Sequence, residues 1–323
     1  MKWLYVVRNM KVSIIIPFKE ETGYLHECIT NCLNLDYDDF ELILLPDKAM
    51  KSEFSHIRIV PTGPVGPAKK RDIGAECAKG EVLAFIDDDA YPKKDWLKNV
   101  VRNFKGKTAC VGGPAITPES DNLCQKASGL VLSSKAGGGT ETYRYVPGKK
   151  RYVDDFPSVN MSVKKDVFTE LGGFDTAYWP GEDTKFCLDL VNKGYRIIYD
   201  PKAIVYHHRR ELFRPHLKQV TGYALHRGYF VKKFPKTSFR LGYFIPSLFV
   251  VFLVAGMIAS ILASSFAGYY AAVLSFYLAM LIVSGAMTGN IKLLMLVVPG
   301  TIATHISYGI YFMKGLLTMR LYK

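Results

Sequence analysis

The last quarter of this 323-residue chain lacks acidic residues altogether. Residues 241–323 contain no aspartate or glutamate, and their only basic residues are Lys292, Lys314, Arg320 and Lys323. All 29 acidic side chains therefore lie in residues 1–240, where most of the basic ones lie as well. This shift in composition divides the chain into a soluble, basic part and a membrane region.

The membrane region contains two to three candidate transmembrane helices. Residues 241–263 are apolar or small throughout and long enough to cross a hydrocarbon core of roughly 30 Å. Residues 269–287 and 293–313 are further candidates, the last interrupted by Pro299 and Gly300. The alternative is a pair of buried core helices. Three spans would place the C-terminal basic residues outside, against the positive-inside tendency, and two spans plus a re-entrant or interfacial segment would avoid this. The lengths of the apolar stretches nevertheless favour three spans.

A basic and aromatic segment, residues 226–240, precedes the first candidate span. Its five cations are Arg227, Lys232, Lys233, Lys236 and Arg240. Such a segment is typical of the cytoplasmic membrane surface, next to anionic headgroups. Nucleic-acid binding is the competing interpretation, but no recognition motif accompanies the charge. We therefore predict a cytoplasmic catalytic domain over 1–225, a juxtamembrane segment over 226–240 and a membrane region over 241–323, with no nucleic-acid partner.

Cysteine pairs of the C-x-x-C type and a secretory signal are also missing. Cys28 and Cys32 stand four residues apart on a predicted helix, which favours buried thiols over zinc ligands. Arg8 and Lys11 interrupt the apolar N-terminal run, and no small-residue cleavage site follows it. These features predict a multi-pass protein of the cell membrane whose catalytic domain faces the reducing cytoplasm.

The first half of the chain alternates apolar strand-like runs with helical patterns. Strands are predicted at 12–16, 41–45, 56–60 and 82–86, with helices after the first, third and fourth. This order indicates an α/β fold with a mostly parallel sheet covered on both faces, whose ligand site lies beyond the carboxyl ends of the strands. Further strands are predicted at 108–113, 195–200 and 203–208, and a mobile loop at 133–151, which is rich in glycine and basic residues.

Three aspartates, Asp87, Asp88 and Asp89, follow the fourth predicted strand. In an extended segment, Asp87 and Asp89 point to the same side. Carboxylates at that spacing suit Mg²⁺ or Mn²⁺ bound together with substrate phosphates. The competing interpretation is a solvated acidic loop.

Two other segments carry candidate functional residues. Glu182 and Asp183 open a predicted helix, where an acid either complements the helix dipole or, as Asp183 would, serves as a general base. His207 and His208 end a predicted strand beside Arg209 and Arg210. An imidazole there could complete a metal shell, and the two arginines are candidate phosphate clamps. A metal that binds diphosphate, a base and cationic clamps together suit displacement of a nucleoside diphosphate from a sugar by a hydroxyl.

Several segments in order resemble the family 2 inverting glycosyltransferases of the GT-A fold. They are VSIIIPFKEE, GPAKKRDIGAECAKGEVLAFIDDDAYPKKDWL, NMSVKKDVFTELGGFD, GEDTKFCLDL and YDPKAIVYHHR. The resemblance implies a Rossmann-like mixed sheet, a UDP- or GDP-sugar donor and a divalent metal cofactor. It also implies membrane-anchored enzymes that build exopolysaccharides or lipid-linked glycans, because several membrane spans follow the domain.

The resemblance further implies roles for individual residues. Asp87 and Asp89 correspond to the family's D-x-D acids, with Asp89 the direct metal ligand, and His207 contacts metal or diphosphate. Asp183 corresponds to the base and Glu182 to its acceptor-binding neighbour. The residues implied to border the nucleotide are Pro17, Phe18, Glu21, Asp47, Arg71, Asp87 and Asp88.

The sequence departs from the family's usual pattern at four places. Glu20 and Asp72 stand where asparagines are usual, Pro46 precedes a single acid at Asp47, and Asp189 replaces a frequent arginine. These departures concern the identity of nucleotide and sugar rather than the fold.

The acceptor class has a leading interpretation and several alternatives. We predict transfer to a hydroxyl of a lipid-linked or membrane-near saccharide. A polyprenyl-phosphate glycosyl synthase needs no base, so the acids at 182–183 argue against it. A sugar-phosphate nucleotidyltransferase would show a glycine-rich motif after the first strand, and a processive synthase would carry Q-x-x-R-W; this sequence has neither. A non-catalytic receptor or scaffold predicts no metal-dependent nucleotide binding.

Overall fold

The computed structural model describes residues 9–50 and 57–321, and these fall into two units that alternate along the chain. The first unit comprises the residues up to Ile116 and Val146–His207, and the second comprises Thr117–Tyr145 and the residues from His208 onward. The limits predicted at 225 and 240 follow composition, whereas this division follows packing. Those domain limits therefore stay a prediction.

The described residues form eleven strands and twelve α-helices. The strands are β1 Val12–Pro17, β2 Phe40–Leu45, β3 Ile57–Ile59, β4 Val82–Ile86, β5 Ala90–Pro92, β6 Thr108–Gly112, β7 Ala115–Ile116, β8 Arg151–Val153, β9 Asn160–Lys164, β10 Arg196–Tyr199 and β11 Val205–His207. The helices are α1 Gly23–Leu33, α2 Pro67–Cys77, α3 Trp96–Val101, α4 Leu123–Ser133, α5 Lys135–Gly138, α6 Lys165–Glu170, α7 Glu182–Asn192, α8 Arg214–Lys233, α9 Pro235–Ser238, α10 Leu241–Leu262, α11 Ser264–Ala286 and α12 Ile291–Leu317.

The first unit is built on an eight-stranded sheet in the order β3-β2-β1-β4-β9-β6-β10-β8. The strands β3, β2, β1 and β4 are parallel, as predicted. Strands β6 and β10 also pair in parallel, so the prediction of a mostly parallel sheet is confirmed. Among the described strands of this sheet, β9 runs antiparallel to both β4 and β6, and β8 antiparallel to β10. An apolar run predicts a strand, but its direction depends on how the chain returns to the sheet. The sheet is therefore mixed.

The core of this unit follows from the apolar runs. Every residue of β1 and β4 is buried, which is the pattern of a strand covered on both faces. Helix α1 begins at Thr22, whose side chain caps the Leu25 amide, and turns Cys28 and Cys32 inward. The prediction of buried thiols at these two positions is thus confirmed.

The prediction of a mobile loop over 133–151 is wrong for residues 133–144, whereas residues 145–150 form neither helix nor strand. Helix α4 runs to Ser133, α5 follows from Lys135, and a 3₁₀ turn occupies Gly139–Arg144. A Cβ atom at Gly137 would lie 2.0 Å from the Val131 carbonyl oxygen, and one at Gly138 would lie 2.0 Å from that of Leu132. These glycines therefore permit close packing of α5 against α4 rather than mobility.

The second unit contains α10, α11 and α12, three helices long and apolar enough to cross a membrane. In their most apolar windows only 11%, 6% and 28% of the residues, respectively, are buried within the protein. Core helices would be mostly buried, so this exposure excludes the alternative of a buried helix pair. Helix α12 continues through Pro299 and extends past both predicted ends, to Ile291 and Leu317.

Candidate active site

The three aspartates lie in a tight turn at the carboxyl end of β4. The Ala90 amide donates to the Asp87 carbonyl oxygen at 3.1 Å, which closes the turn before β5 begins. The expectation that Asp87 and Asp89 lie on an extended segment is therefore wrong. The turn nevertheless brings both carboxylates to one place, because it reverses the chain between them.

His207 joins the two carboxylates through strand pairing. Strand β11 runs antiparallel to β5 and sets His207 opposite Ala90, while the rings of Tyr91 and Tyr206 stack at 5.0 Å. The imidazole Nε2 lies 3.1 Å from Asp89 Oδ1. Ligand atoms of Asp87, Asp89 and His207 all lie within 4.8 Å of one another. Two carboxylates and one imidazole can supply three ligands to a divalent cation.

The electrostatics of the turn fit a cation. Burial, followed by the neighbouring carboxylates of Asp89 and Asp87, raises the pKa of Asp88 to about 7. Such a rise means that negative charge in the turn is costly. A hard divalent ion matches both the ligand types and this excess of negative charge.

Arg71 on α2 connects the aspartate turn to the start of α7. Its Nη2 lies 2.5 Å from Asp87 Oδ1, and its Nη1 lies 3.5 Å from Glu182 Oε1. Burial alone lowers the pKa of Arg71, but the two carboxylates raise it above its ordinary value, so the side chain is charged. Its Nε is buried and has no hydrogen-bond partner among the described residues. That donor is available to a ligand.

Glu182 and Asp183 occupy the first turn of α7. Glu182 is 4% exposed, and besides Arg71 it accepts a hydrogen bond from the Gly181 amide at 2.9 Å. Asp183 is half-buried; its Oδ1 accepts from the Thr184 amide at 2.7 Å and its Oδ2 from the Ser158 amide at 3.3 Å. Amide donors and the helix N-terminus both favour a carboxylate, which is the form a general base needs.

The residues predicted to border the nucleotide lie near the carboxyl ends of β1 and β2. Pro17 ends β1, Phe18 is buried behind it, and Glu21 is exposed, 3.8 Å from the His26 imidazole. Asp47 follows β2 and lies 2.5 Å from the Lys70 ammonium. This edge of the sheet is where open α/β folds bind ligands.

Lys70 is a residue that sequence reasoning missed. It is 2% exposed, and its ammonium donates to the carbonyls of Phe18 and Leu45 as well as to Asp47. It therefore ties together the ends of β1 and β2 and holds Asp47 in place. The available signal was the run of three basic residues before Asp72, of which only Arg71 was assigned a role.

The two arginines predicted as phosphate clamps belong to the second unit. Arg209 is buried, its Nε donates to the Thr117 hydroxyl at 3.1 Å, and its guanidinium lies 5.1 Å from the centre of the Tyr145 ring. Arg210 is exposed. His208 is buried and bonds Asp121 at 2.5 Å. The clamp role of both arginines stays a prediction.

Comparison with known proteins gives consistent similarities. Residues 13–159 match the family described as Glycosyl transferase family 2. The chain is 24% identical to the dolichyl N-acetyl-alpha-D-glucosaminyl phosphate 3-beta-D-2,3-diacetamido-2,3-dideoxy-beta-D-glucuronosyltransferase of Methanococcus voltae, over 78% of this chain and 82% of that protein. It is 26% identical to the glucosyl-dolichyl phosphate glucuronosyltransferase of Haloferax volcanii, over 61% of this chain and 69% of that protein.

A solved structure shows the same fold. The mannosyltransferase PcManGT from Pyrobaculum calidifontis, determined in complex with GDP-Man and Mn²⁺, superposes with a TM-score of 0.55. The match covers 96% of this chain and 87% of that chain at 18% identity. The family match shows a glycosyl transferase family 2 domain over residues 13–159, and the structural match shows the GT-A fold. The chain is a glycosyltransferase.

Proposed function

We propose that this chain is a metal-dependent inverting glycosyltransferase. It moves a sugar from a nucleotide-sugar donor to a hydroxyl of a lipid-linked or membrane-near saccharide. The observation that carries the proposal is the continuous chain of contacts from His207 through Asp89, Asp87 and Arg71 to Glu182, beside Asp183. It joins a candidate metal site to a candidate base within one unit.

Asp89 and His207, with Asp87 beside them, would hold Mg²⁺ or Mn²⁺. The bound ion would neutralise charge on the donor diphosphate and on the departing nucleoside diphosphate. The presence of Mn²⁺ in the complex of PcManGT is consistent with this assignment. The buried Arg71 guanidinium donates to Asp87 Oδ1 and so fixes the position of this carboxylate beside the ligand cluster.

Asp183 would take the proton of the acceptor hydroxyl. The acceptor oxygen then bonds to the anomeric carbon while the bond from that carbon to the diphosphate breaks, so the configuration inverts. Two amide donors orient the Asp183 carboxylate at the start of α7. Glu182 is already paired with Arg71 and the Gly181 amide, so we assign it to positioning Asp183 and the acceptor side.

The donor nucleotide would lie along the carboxyl ends of β1 and β2. Pro17, Phe18, Glu21, Asp47 and Asp88 would border it, with Arg71 and Asp87 at the phosphate end. Arg209 and Arg210 remain the proposed phosphate clamps. The donor is a UDP- or GDP-sugar. The GDP-Man bound in the PcManGT structure supports a nucleotide sugar as the class of donor.

Transfer to a polyprenyl phosphate is the second candidate, because two relatives act on dolichyl phosphate derivatives. Their names, however, place a sugar on that lipid already, as in glucosyl-dolichyl phosphate. A lipid phosphate acceptor is anionic and needs no base, whereas the first turn of α7 carries a candidate base, Asp183. The hydroxyl acceptor is therefore preferred.

The three apolar helices support membrane association. We propose a multi-pass protein whose catalytic domain faces the cytoplasm, because the five cations of residues 226–240 precede the first apolar helix.

Nucleotide binding with and without metal tests the proposal. Calorimetric titration of UDP and of GDP into the full chain should show binding that requires Mn²⁺ or Mg²⁺. The Asp89→Asn variant should lose metal-dependent binding, whereas Asp95→Asn, which removes a charge paired with Lys93 at 3.5 Å, should keep it. A panel of nucleotide sugars assayed for metal-dependent hydrolysis then names the donor. Equal binding with and without metal, or wild-type binding by Asp89→Asn, contradicts the proposal.

A further inference from the structure

The three apolar helices of the second unit do not form an aligned bundle. Helix α10 runs antiparallel to α12: Phe244 packs on Phe312, the Ser247 hydroxyl bonds the Gly309 carbonyl at 3.0 Å, and Phe249 lies beside His305. As the residue number rises in α10, that of its partner in α12 falls. The two helices therefore have opposite directions where they touch.

Helix α11 is antiparallel to both of the others. Tyr277 bonds His305 at 2.8 Å, whereas Gly285 further along α11 packs against Leu294, nearer the start of α12. Phe249 and Tyr277 also pack together, and the Tyr270 hydroxyl bonds the Leu253 carbonyl at 3.0 Å. Three helices with nearly parallel axes cannot all be antiparallel to one another. At least one pair must cross steeply, beyond the roughly 20° of most transmembrane bundles.

We take α12 to be the helix that crosses the other two steeply, because helices outside the apolar trio pack against it along its length. His216 of α8 lies 2.9 Å from the Thr304 hydroxyl, and Lys232 near the end of α8 donates to the Thr318 carbonyl at 2.8 Å. Leu212 packs on Gly300, and Gly228 on Phe312. Toward its start, α12 packs against Ala127 and Val131 of α4 through Val297 and its neighbours.

These partners cannot follow α12 through a bilayer without carrying charge into it. Helix α8 contains five Lys and Arg residues, among them Lys218 and Arg227 away from its ends. His305, at the middle of α12, bonds the Ala136 carbonyl at 2.9 Å, and the adjacent Lys135 is exposed. If α12 crossed the membrane, its middle would place Lys135 at the bilayer centre, where an unpaired ammonium is most costly.

We propose that α12 lies in the plane of the membrane surface, flanked by α8 and α4, and that the chain crosses the bilayer only through the α10–α11 hairpin. The surface that α12 presents is an amphipathic stripe with Met295, Ile310 and Leu317 exposed and with Lys292 and Lys314 near its two ends. Lys314 lies 5.5 Å from the Tyr311 ring centre, an arrangement suited to the interfacial layer. Its partner is the headgroup region of a leaflet rich in anionic lipid.

This placement has a topological consequence. The C-terminus and residues 288–290 lie on the same side of the membrane as α9, and only the α10–α11 connection lies on the other side. Lys314, Arg320 and Lys323 then join the cations of residues 226–240 on one face, in agreement with the positive-inside tendency. The inference does not depend on the glycosyl-transfer chemistry proposed above.

Site-directed labelling with a membrane-impermeant maleimide tests the placement. Single cysteines are introduced by Met319→Cys, Lys236→Cys and Ser265→Cys in full-length protein that also carries Cys77→Ser and Cys124→Ser, since the other four cysteines are buried. Labelling in intact cells is compared with labelling in inside-out vesicles. Met319→Cys should label from the same side as Lys236→Cys, and Ser265→Cys only from the opposite side. Labelling of Met319→Cys together with Ser265→Cys overturns the inference.

A second measurement uses the unaltered chain. Green fluorescent protein or alkaline phosphatase is fused after Lys323, and each reporter is active on one side of a bacterial inner membrane only. Fluorescence without phosphatase activity is expected if the catalytic domain is cytoplasmic, and the Lys236→Cys variant identifies that side independently. A C-terminus on the side opposite to position 236 overturns the inference, whether or not nucleotide binding proves metal-dependent.

Discussion

Asp72 is the side chain in the catalytic unit whose replacement has the most calculable effect. It follows Arg71 on α2 and stands where the related family usually has asparagine. Its Oδ1 accepts the Phe174 amide at 2.9 Å, and burial, partly offset by this hydrogen bond, raises its pKa from 3.8 to about 6. The folded protein therefore binds a proton at Asp72 more tightly than the unfolded chain does.

The sign and size of the effect follow from proton linkage. Because the folded pKa is the higher one, stability falls as the pH rises from about 4 to about 6 and stays lower above that. A shift of this size corresponds to about 3 kcal/mol for a fully buried group. Asp72 is only partly buried, so solvent screening reduces the expected penalty to about 1–2 kcal/mol.

The Asp72→Asn variant should remove this penalty while keeping the acceptor for Phe174. At pH 7.5 we expect the variant to be more stable than the wild type by about 1–2 kcal/mol, a rise in Tm of about 2–4 °C per kcal/mol. Near pH 4 the difference should be much smaller, because Asp72 is then neutral in the folded protein and about half protonated in the unfolded chain. Thermal unfolding of full-length protein in detergent, measured from pH 4 to pH 8, gives the difference curve.

The exposed Asp38→Asn variant is the control, since it removes the same charge without relieving burial. Its difference from the wild type should not change with pH. The reasoning is refuted if Asp72→Asn is no more stable than the wild type at pH 7.5, or if its advantage is the same at pH 4.

Three further predictions concern the base, a buried histidine and the helix contact of the second unit. Asp183→Asn should lower kcat by about 10²–10⁴-fold with unchanged nucleotide affinity, whereas Asp189→Asn on the same helix should not, and full turnover by Asp183→Asn would instead favour a phosphate acceptor. Burial lowers the pKa of His216 to about 4, so the stability of the protein should fall as the pH drops from about 6.5 to 4. In unfolding experiments His216→Gln should reduce this loss of stability, whereas His226→Gln should not. An unchanged pH dependence in His216→Gln would exclude His216 as the source of the loss. A Cβ at Gly228 would lie 2.2 Å from the Phe312 carbonyl oxygen, whereas a Cβ at Gly222 would have no atom within 4 Å. Gly228→Val should therefore lower the Tm, and Gly222→Ala should not. Equal Tm values would show that α8 and α12 can separate at no cost.

Much of the fold was predictable because its signals are local. The runs at β1, β2 and β4 are continuous and apolar, and the helices α6 and α7 end at Gly172 and Gly194, both with positive φ angles. The antiparallel strand β9 and helix α4 were not predicted. Strand β9 alternates polar and apolar residues over only five positions, and the buried positions of α4 include polar and small residues such as Gln125, Ser128 and Gly129. The loop prediction at 133–151 failed for a different reason, because its glycines serve contacts that only the packed unit defines.

The sequence by itself determined where acidic residues follow a buried strand, where carboxylates open a helix and where apolar stretches long enough to cross a membrane begin. Those features depend on composition and periodicity over a few turns of chain. Only the tertiary structure decided that His207 lies 3.1 Å from Asp89, that Arg71 lies between Asp87 and Glu182, and that α12 follows the polar helix α8. These contacts join residues separated by 16 to 118 positions, and strand register and helix packing, rather than local propensity, bring them together.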